Sequence, residues 1–579
     1  MLRTVIAVGL AAVPSVGWLA VGPQGMGSAR RPRGVVKAVR PELPPVRVDF
    51  RDVAVEAGLV GGNVAGEPDR KRYILEATGN GVAIFDFDDD GLMDVFLPSG
   101  TRLDRPDAGT SRLYRNLGEL RFQDVTDAVG LRRSGWGQGA CAADVDGDGR
   151  RDLFVTYYGK SVLFRNLPGG VFQDVTEASG LMARQTRWDT GCSFVDYDRD
   201  GDLDLALSNY LEFDRSKVPE PGSGGYCLWK AIPVMCGPRG LPFARNYLFR
   251  NDGNGRFEDV SLASGIGKAT RCYGFTVIAA DFDDDAYADL YVACDSTPSL
   301  LYRNKRDGTF EETGLLAGVA LNEDGQEQGG MGVAAADYDG DGRLDIAKTN
   351  FADDHPNLYR NNGDGTFEDR VFRSGLGGYM DYVGWGAHLL DVDHDGRREL
   401  LLINGHVYPE AERTGELHYE QPRLLYWNVG SGRFKDISGE SGPGISAAWS
   451  SRGSAAGDLD GDGSLEVVIS NMNARPTLLK NFGDRKNWLL VECEGAPPNR
   501  DAIGARVTVV AGAARLMGEV HSGSSYLSQS DPRLHFGLGD QPGFESIEVR
   551  WPSGARERFR GGAANRPVVV KQGAGTPLP

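Results

Sequence analysis

Apolar positions along this chain come in short runs broken by glycine and aspartate. In one unit, Gly79–Phe85 (GNGVAIF) enters a cluster of acids and Asp94–Pro98 (DVFLP) leaves it, followed by a run at Leu113 (LYRN) and another in RFQDVTDAVGL. Runs of this length, alternating with polar positions and separated by turn residues, predict β-strands, here four to a unit. The unit recurs. LYRN or a close variant stands at Leu113, Leu163, Leu248, Leu301, Leu358, Leu425 and Leu478. Ahead of each lies an acidic nonapeptide, beginning at Asp86, Asp144, Asp196, Asp281, Asp337, Asp391 and Asp458. Their starts are 58, 52, 85, 56, 54 and 67 residues apart, so the third interval holds an insertion, placed at residues 211–245.

Six of the seven tetrapeptides lead into a strand-like tail such as VFQDVTEASGL, whereas the seventh runs from Asn481 into FGDRKNWLLVE. The missing tail stands at the other end, as DFRDVAVEAGL from Asp49 to Leu59. An open array would need capping repeats and would leave edge strands exposed. Four-stranded repeats whose N-terminal strand completes the last unit predict instead a closed ring. The expected fold is all-β: a seven-bladed β-propeller over residues 46–486, with Val46 to Val53 completing the seventh blade.

Each nonapeptide follows D-x-D-x-D-G-x-x-D, with carboxylates at positions 1, 3, 5 and 9 and a glycine at 6 for a sharp turn. The candidate ligands are Asp86, Asp88, Asp90 and Asp94 in the first loop, Asp144, Asp146, Asp148 and Asp152 in the second, and Asp196, Asp198, Asp200 and Asp204 in the third. Asp281, Asp283, Asp285 and Asp289 form the fourth set, and Asp337, Asp339, Asp341 and Asp345 the fifth. Asp391, Asp393, Asp395 and Glu399 form the sixth, and Asp458, Asp460, Asp462 and Glu466 the seventh. Hard oxygen donors in a flexible loop suit Ca²⁺, so up to seven structural Ca²⁺ ions are expected. An EF-hand is excluded, because position 12 is Leu97, Val155 and Leu207 in the first three loops, where that motif needs Glu. Turn-making accounts for one Asp-Gly loop but not for seven with the same four acidic positions. The fourth loop is the weakest, with Ala286 where the turn asks for glycine, at a cost of about 1–2 kcal/mol.

These loops change the meaning of the composition. Net charge is −18, yet the nonapeptides alone hold 31 acidic residues against six arginines, leaving +7 for the rest of the chain. A Ca²⁺ ion in every loop would bring the total to −4. Acidity disfavours nucleic acid as a partner. The 80 glycines and 29 prolines mark a turn-rich chain that falls short of low complexity. At the N-terminus, Arg3, an apolar run from Val5 to Val21 and then Gly27-Ser28-Ala29 have the layout of a secretory signal over residues 1–29. If retained, that segment is an anchor at the short limit, and only then is a membrane a partner. The basic, proline-containing residues 30–45 read as a linker. The expected location is outside the cytoplasm: secreted, periplasmic or at the cell surface.

Export permits disulfides. Cys227 and Cys236, nine positions apart in the insertion, are the first expected pair, and Cys272 with Cys294, flanking loop four, the second. Cys141 and Cys192 sit one residue out of step relative to their loops, compatible with a bridge or with two buried thiols, and Cys493 has no evident partner. No metalloprotease spacing, nucleophile elbow or phosphate loop occurs, so no catalytic residue is assigned. His388, His394 and His406 lie near loop six, where Asp381 or Glu410 would complete a hydrolytic set. His394, inside the acidic loop, is expected in solvent, and His406 is expected to order a turn. Trp136, Tyr382, Trp385 and Trp449 lie in or just before inner strands, to pack blades or line a sugar-binding face.

The acidic loops with their glycine-led approach strands, as in GQGACAADVDGDG and GGMGVAAADYDGDG, resemble the FG-GAP or VCBS repeats of integrin-α-type propellers. The stretch 487–571, through NRDAIGARVTV, HSGSSYLSQSDPRLHFGLG and VRWPSGARERF, resembles the ASPIC/UnbV domain, a small β-rich unit. Together they resemble bacterial relatives of the cartilage acidic protein family, as do YCLWKAIPVMCGPRGLP and NGHVYPE. The resemblance implies an extracellular calcium-binding scaffold for adhesion or for a protein or polysaccharide ligand, with the insertion 211–245 as a candidate contact surface. The alternative is a carbohydrate-active lyase or hydrolase built on a propeller.

Overall fold

The computed structural model describes residues 47–183, 185–223, 227–269, 271–378 and 380–579, so the expected signal or anchor and the linker lie outside it. The structure is all-β. Its first part consists of seven four-stranded antiparallel units, each laid down in the order the sequence pattern predicts. In the first unit these are Ala83–Phe85, Asp94–Leu97, Arg112–Asn116 and Phe122–Asp124. The second and third units merge into one sheet through the pairs Arg187 with Gly159 and Trp188 with Tyr158. Strands such as Asp204–Asn209 and Glu466–Asn471 are buried along their whole length, which is why their apolar residues, 205–207 and 467–469, are consecutive rather than alternating.

The seventh unit, Ser451–Gly457, Glu466–Asn471 and Thr477–Asn481, takes its outer strand from the other end of the chain. Phe50–Asp52 pairs antiparallel with it, Phe50 opposite Asn481 and Asp52 opposite Leu479. The first strands of the units neighbour one another in chain order, and that of the seventh returns to that of the first.

The C-terminal part holds two sheets. One is three-stranded, with Asn487–Glu494 between Leu534–Gly539 and Arg566–Lys571. The other is five-stranded, in the order Ala514–Glu519, Arg506–Ala511, Gly543–Arg550, Arg556–Ala563 and Thr576–Pro577. Val507, Val509, Ile547 and Trp551 form their core, which is continuous with Phe194 and Leu205 of the third unit.

Between these sheets the segment 520–531 leaves the C-terminal part and enters the middle of the ring. Ser525 exchanges two main-chain hydrogen bonds with Val333 of the fifth unit, at 2.7 and 2.8 Å, and Gln529 accepts from Ile84 and donates to Val82 of the first. The Gln529 side chain bonds both main-chain groups of Ala142, and Tyr526 Oη donates to the Thr78 carbonyl at 3.0 Å. Ser454 of the seventh unit meets Ser525 at 3.0 Å, and Phe194 of the third donates to Ser522. The glycines that open the inner strands make room for this plug. A Cβ on Gly81 would lie 1.8 Å from the Leu527 carbonyl, and one on Gly453 would lie 2.5 Å from that of Tyr526.

Three disulfides are present. Cys227–Cys236 and Cys272–Cys294 are as expected, with Cα atoms 5.1 and 5.4 Å apart. Cys141–Cys192 is also bonded, joining the inner strands of the second and third units, while Cys493 is a buried thiol. The insertion is less of a free surface than its composition implies. Its hairpin Cys227–Trp229 and Ile232–Val234 buries Trp229, Val234 and Met235 against the ring, Trp229 stacking 4.7 Å from His406, although Leu228 remains exposed. Among the described residues no helix is long and apolar enough to cross a membrane.

Candidate metal centres

Each acidic nonapeptide spans the turn between the first two strands of its unit, so all seven hang from the same end of their hairpins. The position-1 carboxylate folds the loop around itself. Asp86 accepts from the amides of Asp90 and Gly91 at 3.2 and 2.8 Å, and Asp144, Asp337 and Asp391 do the same with their own fifth and sixth residues. Asp281 does so even with Ala286 in the glycine place, held at φ +71°. In the third and seventh loops, Asp196 and Asp458 hold the glycine amide of the sixth position at 3.2 and 3.1 Å.

The position-9 carboxylate lies deepest. Asp94 accepts from Phe87 N at 3.0 Å and Asn116 N at 2.7 Å, and Asp152, Asp204, Asp345 and Glu399 repeat the arrangement. Asp289 holds Asn304 N, and Glu466 holds Leu459 N. Burial pushes Asp94, Asp152 and Asp345 up to about 8, with neighbouring carboxylates adding to the shift. The same cause raises Asp204, Asp289, Glu399 and Glu466 well above the carboxylate range. A dry site holding several carboxylates disfavours their ionised forms unless a cation is supplied.

Carboxylate oxygens of Asp86, Asp88 and Asp90, of Asp144, Asp146 and Asp148, and of Asp281, Asp283 and Asp285 lie within 4.8 Å of one another. Asp196, Asp198 and Asp204, and Asp337, Asp339 and Asp345, gather in the same way. Asp88 Oδ1, Asp196 Oδ1, Asp283 Oδ1, Asp339 Oδ1 and Glu466 Oε1 are shielded from solvent and accept no hydrogen bond. Buried carboxylate oxygens converging in a loop, those of Asp88, Asp196, Asp283 and Asp339 without a partner and that of Glu466 with only Lys480 at 3.6 Å, fit a hard divalent cation.

Several loops have a cation of the protein's own paired with these carboxylates, and in the fourth and seventh it comes closest to the innermost ones, at positions 1 and 9. In the seventh, Lys480 Nζ meets Asp460, Asp462 at 3.0 Å and Glu466 at 3.6 Å, with its side chain 14% exposed. In the fourth, Arg550 of the C-terminal sheet pairs with Asp281, while Arg506 donates to the Asp281 carbonyl at 2.5 Å and pairs with Asp284 at 2.8 Å. In the first, second and fifth loops the arginine of the LYRN-like strand, in the place of Lys480, pairs with positions 3 and 5: Arg115 with Asp88 and Asp90 at 2.7 and 3.0 Å, Arg165 with Asp146 and Asp148, and Arg360 with Asp339 and Asp341 at 2.5 and 2.6 Å.

The asparagine of each tetrapeptide has a role its sequence did not disclose. Its side-chain amide donates to the carbonyl of position 2 in the preceding unit's loop: Asn166 to Phe87, Asn251 to Val145, Asn304 to Tyr197, Asn361 to Phe282, Asn428 to Tyr338 and Asn481 to Val392, at 2.7–2.9 Å. Asn116 of the first unit reaches Leu459 of the seventh. The repetition of the motif was the available signal, but the partner lies in a different unit and no local pattern names it.

His388, His394 and His406 each have a partner of their own rather than one another. His388 lies buried on an inner strand, bonded to Ser454 at 2.8 Å, and His406 is buried against Trp229 with its Nδ1 accepting from Tyr408 N at 3.1 Å, ordering the turn as expected. His394 corrects the expectation of a solvated side chain. It is 1% exposed, because His535 packs 4.8 Å from its ring and Lys486 supplies a carbonyl to Nδ1. Burial lowers all three pKa values, His388 and His394 to about 4 and His406 to about 3. Trp385 packs in the interior between Tyr526 and Arg452.

Residues 86–155, 144–207, 281–347 and 419–469 match the FG-GAP-like repeat family, and residues 495–577 match ASPIC and UnbV. The chain thus carries FG-GAP-like repeats followed by an ASPIC and UnbV region. It is homologous to cartilage acidic protein 1. The mouse (Mus musculus) and human (Homo sapiens) proteins of that name are each 25% identical to it over 82% of this chain, which spans 70% and 69% of theirs. The Xenopus tropicalis protein is 26% identical over 82% of this chain and 70% of its own. Among solved structures, an Agrocybe aegerita lectin that recognises non-reducing terminal N-acetylglucosamine aligns over 64% of this chain and 85% of its own. Its TM-score is 0.36 at 19% identity.

Proposed function

We propose that the protein is an exported, calcium-clamped seven-bladed propeller that serves as an extracellular ligand-binding scaffold, with residues 487–571 forming a second domain seated on the acidic-loop end of the ring. The reading rests chiefly on the acidic loops, where buried carboxylate oxygens converge without partners in a geometry that suits Ca²⁺. Calcium would act structurally, holding the turn between the first two strands of each blade and neutralising carboxylates that burial disfavours. Loops one, two, three, five and six are the principal sites, since in loops four and seven Arg550 and Lys480 reach the innermost carboxylates, Asp281 at position 1 and Glu466 at position 9. Kinship with cartilage acidic protein 1 and the FG-GAP-like repeats supports an extracellular setting and a binding rather than a catalytic role. The test is native mass spectrometry with thermal unfolding in millimolar calcium and in chelator. Calcium uptake with a raised Tm supports the reading, and a mass and Tm indifferent to calcium refute it.

A further inference from the structure

The five-stranded sheet of the C-terminal part has one face in the core and one outside. Along Arg556–Ala563 the alternation is strict at its start: Glu557 is buried, while Arg556, Arg558 and Arg560 are exposed on the outer face. Register aligns them with their neighbours. Arg550 stands opposite Arg556, Glu548 opposite Arg558 and Ser546 opposite Arg560. One strand further, Thr508 faces Glu548 and Val510 faces Ser546, and beyond Val510 stands Arg515.

This outer face is a basic lattice around one carboxylate. Glu548 accepts from Arg515 and from Arg558, both at 2.7 Å, and lies 15% exposed beneath them. Arg556 bonds only the Pro579 carbonyl, at 3.3 Å, and Arg560 makes no ion pair or side-chain hydrogen bond among the described residues. Four guanidinium groups therefore surround a single acid, with an excess of three positive charges on one side of a sheet. A cleft of about 440 Å³ runs between this face and loops four and five, where Asp284 and Gly342 form its far wall. Asp284 is already paired with Arg506 and Arg550, so it does not neutralise the other four.

We propose that this face binds an anionic polysaccharide, its carboxylate or sulfate groups taken by Arg515, Arg556, Arg558 and Arg560. The proposal deepens the scaffold reading by naming a ligand class and a place, and it does not depend on calcium. Arginines at alternate positions of one strand stand about 7 Å apart, a ladder suited to an extended chain with regularly spaced charges. The planar guanidinium fork matches carboxylate and sulfate oxygens in pairs. The positions in register with the arginines are Thr508, Val510, Met517, Phe544, Ser546 and Glu548, and since Phe544, the one ring among them, is buried, a nucleic-acid base has no exposed ring to stack on. A protein partner would look for an exposed apolar or aromatic centre, and here Met517 and Phe544 are buried beneath the charged groups.

The test is binding of the full protein to size-defined oligogalacturonate and to dextran sulfate, with neutral dextran, poly-glutamate and single-stranded DNA as comparators, in calcium and in chelator. The expected result is binding of one or both anionic sugars and none of neutral dextran. The Arg556→Gln/Arg560→Gln double variant, which leaves both Glu548 pairs in place, should weaken binding at least tenfold with a shallower salt dependence and an unchanged Tm. Arg121→Gln, on the first unit, should change nothing. Equal affinity of the double variant and the parent would overturn the proposal, as would poly-glutamate or DNA binding as tightly as the sugars. Loss of calcium uptake with sugar binding intact would refute the calcium reading alone.

Discussion

The side-chain amide of Asn116 donates to the main-chain carbonyl of Leu459 at 2.8 Å across 343 residues of sequence. It completes a cycle of seven such bonds, each unit holding the loop of the one before. Replacing Asn116 by Ala leaves a buried carbonyl unsatisfied, a loss of about 1–3 kcal/mol. A lowered Tm for Asn116→Ala, matched by Asn361→Ala in the middle of the cycle, is expected in thermal unfolding. If neither variant moves Tm, the cycle is not a support of the ring.

Lys480 bears directly on calcium stoichiometry. With its ammonium among Asp460, Asp462 and Glu466, loop seven should fill last together with loop four, giving about five tight sites before two weak ones on calcium titration. Lys480→Met removes the resident charge and leaves three acids facing one another. That variant should be destabilised in chelator, and its Tm should gain more from calcium than the parent's does. Equal gains would show that Lys480 does not compete.

The buried carboxylates set a pH dependence with a definite sign. Asp94, Asp152 and Asp345 titrate near 8 in the metal-free fold, against about 4 in an unfolded chain. Between those values the folded state holds more protons, so in chelator stability falls as pH rises from 5.5 to 8. If calcium saturates the loops, the ligands are ionised in the folded state as they are in the unfolded chain above pH 5.5, so these groups no longer contribute a slope. Tm measured across that range should fall with pH in chelator and stay flat in saturating calcium, and parallel lines would count against the loops as metal ligands.

Gly453 tests the plug. Its absent side chain leaves space for the Tyr526 carbonyl, and a Cβ there would also lie 2.5 Å from Gly81 Cα. Gly453→Val should cost about 1–3 kcal/mol or more by overpacking against main chain. Limited proteolysis should then cut within residues 520–531 faster than in the parent. An unchanged cleavage pattern would mean that the ring axis accommodates the side chain.

The repeat, the strand order and the displaced outer strand were legible because they follow from local pattern: a period-two run, a turn residue, a tail missing at one end and present at the other. The gathering of Asp86, Asp88 and Asp90, and of their counterparts, was legible for the same reason, as one nonapeptide contains a whole acidic set. What escaped lies between distant segments. Nothing in HSGSSYLSQSD marks it as an axial plug, because serine and glutamine there satisfy inner-strand main-chain groups of many units rather than forming a pattern of their own. His394 looked solvated because its cover, His535, comes from the C-terminal part. Cys141 and Cys192 looked out of step because their register depends on how two units meet.

The pairing of Asp52 with the strand of Leu478, 426 residues later, fixes the order in which the molecule can be made. At about 5–20 residues per second, roughly 20–85 s of synthesis separate the two strands. During that interval Phe50–Asp52 has no partner, and the plug, later still in the chain, has not yet been made. Six units can form while the chain grows, but the ring closes only near the end and is filled after that. An export route that carries the chain unfolded would suit this sequence of events, since the last steps of folding then fall after translocation.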